Sequence, residues 1–167
     1  PKHTNAKTGR VTMQKAKLDL PLLLPDAPDE ADACVARLLG DLTGRDGIVQ
    51  AHIAPAAGGD PAKLCIHFEP KAISLGRVRE IAESTGARIT ERFGHVLWDI
   101  DSGLQHAGRA RTVTEYLQRV PGVLEAVATV AGPLRIEFDR SLTSESALHQ
   151  VLRDLSVDVP PHAPETI

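Results

Sequence analysis

Chemistry in this sequence begins with its imidazoles and thiols. Two runs, Ile48 to Ala54 and Lys63 to Glu69, read as the strands of a hairpin. If Ile48, Ala51, Ile53, Leu64, Ile66 and Phe68 face a core, His52, Cys65 and His67 must face the other way, because side chains alternate along a strand. His52 and His67 are then expected nearly opposite each other on neighbouring strands, with Cβ atoms about 5 Å apart. Two imidazoles and a thiol are borderline-soft donors that suit Zn2+ or Co2+. The same residues also read as solvated polar positions on an open sheet, or as a face on which another domain packs. Cys34, alone at a helix start, reads either as a ligand or as a small, partly buried residue. His106 lies in the loop Gly103 to Arg109, where a neutral imidazole could take Zn2+, although Arg109 opposes a cation. Asp99 and Asp101 read as a hard-cation pair or as solvated, capping acids. His3 and His162 near the chain ends offer at most a weak adventitious site.

No catalytic constellation accompanies these donors. There is no GxxxxGK[ST] phosphate loop, no GxGxxG after a strand and no GxSxG elbow. No catalytic residue is assigned, and this segment by itself is expected not to be an enzyme. The composition agrees with a binding or regulatory role. Of 167 residues, 25% are charged and 42% hydrophobic, with a net charge of −3. That is a globular chain of one or two domains. Its near-neutral balance argues against nucleic acid as a partner, which demands excess Lys and Arg. No apolar run approaches the roughly 18–20 residues of a bilayer span, and no signal peptide is read at the start. Two cysteines make no disulfide framework and fit a reducing compartment.

The elements that carry these residues occur twice. Leu64-Cys65-Ile66-His67-Phe68-Glu69 recurs as Leu134-Arg135-Ile136-Glu137-Phe138-Asp139, 70 residues on, and Ser74 maps onto Ser144. Gly47-Ile48 maps onto Gly122-Val123, 75 residues on. The offset changes in the hairpin loop, where insertions are cheap. Each copy reads as strand, helix, strand, strand, helix, strand. In the first copy Leu18, Leu20, Leu22 and Leu24 alternate as a strand. Asp26 to Glu30 open a helix whose face is Val35, Leu38, Leu39 and Leu42. After the hairpin comes a helix from Ser74 to a stop at Gly86, then a last strand, Ala87 to Arg92. In the second copy Val96, Trp98 and Ile100 form the first strand, and Val157 to Val159 the last. The expected fold is α+β: two tandem ferredoxin-like βαββαβ sandwiches, each a four-stranded antiparallel sheet with both helices on one face. The expected domains are 17–92 and 93–159, between a basic tail, 1–16, and a proline-rich extended tail, 160–167. The basic tail carries Lys2, Lys7, Arg10 and Lys15 and reads as a lipid-touching or a solubilising segment.

Such tandem domains of about 70 residues resemble the heavy-metal-associated domains at the N-terminus of metal-transporting P-type ATPases. Val120-Pro121-Gly122-Val123 looks like that family's helix end, and Leu64 to Glu69 and Leu134 to Asp139 look like its third strand. Cys34-Val35-Ala36-Arg37-Leu38 looks like its second metal cysteine and the helix that follows. The resemblance covers Lys17 to Val159. The family's loop, Gly-Met-x-Cys-x-x-Cys, sets two thiolates at a helix N-terminus, where the dipole favours them. Here Ala31 stands at the first cysteine position, and His106 and Arg109 occupy the two positions of the second copy. Neither copy has the pair, so copper cannot be held in the family's usual manner, and the domains look degenerate. The resemblance implies a cytoplasmic regulatory region of a cation-translocating ATPase, with the transport core of the same chain as partner and ATP hydrolysis lying elsewhere. Zn2+, Co2+ or Cd2+, weakly bound, suit imidazole and a lone thiol better than Cu+. The alternative is a stand-alone small-molecule-sensing module, since tandem ferredoxin-like domains also bind amino acids. A single-strand RNA binder would need aromatics on the outer sheet face. The outward third-strand residues are Cys65, His67, Arg135 and Glu137, so that reading is set aside.

Overall fold

A computed structural model describes residues 12–100, 107–128, 130 and 133–159. The chain divides into two units, Pro1–Ile89 and Thr90–Ile167. The first holds strand β1 (Gln14–Asp19), a helical turn α1 (Leu20–Leu23), helix α2 (Ala33–Thr43), β2 (Ile48–Ala54), β3 (Lys63–Phe68) and helix α3 (Leu75–Arg92), whose last residues run past the division. The second holds β4 (Phe93–Trp98), α4 (Ala107–Gln118), β5 (Val123–Val127), β6 (Leu134–Asp139) and α5 (Glu145–Asp154). Among the described residues each unit has one three-stranded antiparallel sheet, in the orders β1-β3-β2 and β4-β6-β5. The class is therefore α+β, and the fourth strand expected in each copy is not formed.

The physical reasons lie in spacing. Ile81, Ala82, Thr85, Gly86 and Ile89 are buried along α3, at the spacing of one helical face. Ala87 to Arg92 therefore extend a helix instead of forming a strand. Gly86 is no stop. A Cβ there would lie 2.5 Å from the Leu23 carbonyl oxygen, so glycine lets α3 approach α1. In the second unit α5 ends in a Schellman motif: the Val157 and Ser156 N–H groups donate to the carbonyls of Leu152 and Arg153, both at 2.9 Å. Ser156 takes the left-handed conformation (φ 57°). Val157 is thereby turned into the core, fully buried.

The leucine run is also corrected. Leu20, Leu23 and Leu24 are buried while Leu22 is 81% exposed, a helical spacing rather than an alternation. Pro21 stands in the first turn of α1, where its fixed φ and missing N–H are tolerated. β1 accordingly lies earlier, and Ala16 is its buried residue. Likewise α2 opens at Asp32, its N-cap, rather than among Asp26 to Glu30. β4 begins at Phe93, three residues before the expected alternation.

The duplication is visible in backbone detail. Gly47 (φ 86°) and Gly122 (φ 93°) occupy equivalent turns, a conformation glycine adopts without steric cost. Their carbonyls accept from Glu69 N–H at 2.9 Å and Asp139 N–H at 2.7 Å. Ser74 and Ser144 cap α3 and α5, each accepting a backbone N–H at 3.2 Å. Strands β2 and β5 both shift register by one residue, between Ile48 and Gln50 and between Val123 and Glu125. In the first unit Leu64, Ile66 and Phe68 of the central strand are buried, with Val35, Leu38 and Leu42 of α2. In the second, Trp98, Leu117, Leu134, Ile136, Phe138, Leu148 and Leu152 belong to one cluster.

Candidate functional site

The face of the first sheet opposite Leu64, Ile66 and Phe68 carries Lys15, Lys17, Gln50, His52, Cys65 and His67 by register and alternation. The extra residue Val49 fixes who faces whom. Cys65, not His67, lies directly across from His52, and His67 faces Gln50. The imidazoles are diagonal neighbours that lean together, with ring centroids 5.3 Å apart and planes tilted by 39°. His52 is exposed, His67 half-buried and Cys65 buried. The Nε2 of His67 is buried with no hydrogen-bond partner among the described residues. Burial, then the charge of Lys15, then His52 push the His67 pKa below its ordinary value, which disfavours the charged ring.

The start of α2 holds a second group of donors. Asp32 caps the helix, its Oδ1 accepting from the Cys34 N–H at 2.8 Å. Both residues are buried. One turn on, Arg37 Nη1 donates to Cys34 Sγ at 3.2 Å. The thiol of Cys34 therefore sits at a helix N-terminus with a guanidinium beside it. Ala31, at the family's first cysteine position, donates its N–H to Asp29 Oδ1 at 3.0 Å. The residue beside it is the capping Asp32.

The second unit differs at the equivalent places. Arg109, 75 residues after Cys34, donates Nη2 to the carbonyls of Leu155 and Ser156, both at 3.0 Å. It thus ties the start of α4 to the end of α5. His106 and Asp101 lie outside the described residues. On the sheet, Glu137 faces His95 on one side and Glu125 on the other. It is only 3% exposed. Neighbouring Asp139 serves the fold: Oδ1 accepts from Ser141 N–H at 2.9 Å and Oγ at 2.6 Å, and Oδ2 accepts from Arg92 at 3.2 Å. The Ser141 hydroxyl and N–H, followed by Arg92, hold the Asp139 carboxyl below its usual range.

Asp32 and Cys34 in the first unit, and His95 and Glu137 in the second, each offer one ligand atom. Of these, the sequence marks only Cys34 as a donor. Asp32 stands just past the acids Asp26 to Glu30 that read as the helix start, His95 lies one residue before Val96, where the strand alternation begins, and Glu137 reads as an outward strand residue.

No protein-family profile and no curated protein matches the chain. Among solved structures, the N-terminal extension from Cupriavidus metallidurans CzcP matches at 46% identity with a TM-score of 0.79, covering 85% of this chain and 96% of that one. The N-terminal soluble domains of Bacillus subtilis CopA match at 17% identity and a TM-score of 0.37, covering 89% of this chain and 93% of that one. With 46% identity over an alignment that spans almost the whole CzcP extension, the chain belongs to the N-terminal soluble domains of heavy-metal P-type ATPases.

Proposed function

We propose that this chain is a metal-responsive regulatory region, on the cytoplasmic side of a heavy-metal P-type ATPase, acting on the transport core of the same protein. The observation that carries this reading is the 46% identity to the CzcP extension, joined to donor pairs of the right chemistry. Asp32 and Cys34 supply a carboxylate and a thiol, and His95 and Glu137 an imidazole and a carboxylate. Mixed oxygen, nitrogen and sulfur donors suit Zn2+, Co2+ or Cd2+ and select poorly for Cu+. The metal is cargo or signal, not a resident cofactor. Binding that differs between two docked states of the region shifts the balance between them by its differential affinity and no more. No helix among the described residues is long and apolar enough to cross a membrane.

Calorimetry with Zn2+ tests the proposal. Cys34→Ser and His95→Gln are each expected to weaken zinc binding by at least about tenfold, as loss of a ligand or its support does. Zinc affinity unchanged in both variants would overturn the assignment.

A further inference from the structure

A separate donor set lies on the outer face of the first sheet and belongs to neither pair above. We propose that His52 and His67 form an additional divalent-metal site of imidazole donors, selective for ions such as Zn2+ that accept nitrogen ligands. The two rings already face the same side of the sheet with centroids 5.3 Å apart. Metal–nitrogen bonds of about 2.0–2.1 Å put two nitrogens on a tetrahedral ion roughly 3.4 Å apart, a span these rings reach by rotating in place, since ring nitrogens stand about 1 Å off-centre. The buried, unpartnered Nε2 of His67 is a polar atom that a metal ion would satisfy. His52 is exposed, so an ion can enter from solvent. Cys65 stands across from His52 in the register and is buried.

Lys15 and Lys17 face His67 and Cys65 in the register. Both are exposed, so their ammonium groups can swing away, but their charge sets an upper limit on affinity. Lys15→Ala is therefore expected to tighten binding by roughly two- to fivefold at low salt, the scale of a screened surface repulsion.

The decisive experiment uses the full chain carrying Cys34→Ser and His95→Gln, so that success or failure here is independent of the donor pairs above. Calorimetry with Zn2+ should show residual binding, weakened at least about tenfold by His52→Gln and likewise by His67→Gln. His52→Gln changes an exposed side chain and should leave the fold intact. In the chain with Cys34 and His95 unaltered, Zn2+ should also shift the imidazole nitrogen resonances of His52 and His67 together. Residual zinc binding that survives both histidine substitutions, or imidazole resonances that do not move with zinc, would overturn the assignment.

Discussion

Gly86→Ala is expected to destabilise the first unit, although it replaces a glycine inside an 18-residue helix. On propensity alone the change should help, since alanine is favoured over glycine in a helix interior by about 1 kcal/mol. The surroundings reverse the sign. The added Cβ would lie 2.5 Å from the Leu23 carbonyl oxygen, 3.2 Å from its carbonyl carbon and 3.3 Å from its Cα. All three are backbone atoms, so no side chain can rotate out of the way and α1 must move bodily. Overpacking of that kind costs roughly 1–3 kcal/mol. Set against the propensity gain, the net loss reaches up to about 2 kcal/mol. Gly40→Ala is the control. It lies inside α2 with nothing within 4 Å of the new Cβ, and should stabilise by about 0.5–1 kcal/mol. The protein's one Trp and one Tyr, Trp98 and Tyr116, both lie in the second unit. Amide exchange of Leu64 and Ile66, at the centre of the first sheet, is therefore the appropriate readout. Opposite shifts in their protection are expected from the two substitutions. If Gly86→Ala raised protection as Gly40→Ala does, the close approach of α3 to α1 would be refuted.

Two further predictions concern the second unit, where unfolding can be followed by Trp98 fluorescence. Ser156→Gly relieves a left-handed conformation at the C-terminal turn of α5 and should raise stability by about 0.5–1 kcal/mol; an unchanged or lower urea midpoint would count against the Schellman geometry. Asp139 has a folded-state pKa below its unfolded value, chiefly through Ser141 and then Arg92. Its contribution is therefore complete above about pH 4, the ordinary carboxylate value, and fades as pH falls through the depressed value. Asp139→Asn should lower the urea midpoint at pH 7, and the gap from the parent chain should narrow as pH is brought below 4; a gap constant with pH would show that ionisation of Asp139 is not what stabilises the turn.

Duplication was legible because it is written in residues with few substitutes. The glycine at a left-handed turn, the serine at a helix cap and the alternating third strand each recur at fixed offsets. Two helical segments were read as strands because two periods overlapped in the same letters. Leu18, Leu20, Leu22 and Leu24 satisfy a period of two, yet Leu20, Leu23 and Leu24 also satisfy a helical turn, and Pro21 decides between them. Ala87 to Arg92 contain the β-branched Ile89 and Thr90, which suit a strand. Only their continuity with Ile81, Ala82 and Thr85 reveals the helix. Gly86 misled most, since a stop and a close contact call for the same residue. On the site, strand parity alone placed His52, Cys65 and His67 on one face, but not the bulge at Val49 that makes His52 and His67 diagonal rather than opposed.

The two copies share a scaffold and differ at its matching positions. Cys34 at the start of α2 corresponds to Arg109, which is committed to the carbonyls of Leu155 and Ser156. His67 on β3 corresponds to Glu137 on β6, and the residues facing them across the sheet are Lys15 and His95. His52 and Cys65 correspond to Val127 and Arg135, so the imidazole pair of the first sheet has no counterpart in the second. Donor chemistry is thus carried by side chains that the fold positions but does not require. Substituting Cys34, His52 or His95 should accordingly alter metal uptake while leaving the two sheets standing, whereas substituting Gly86 should disturb the first unit without removing a single ligand.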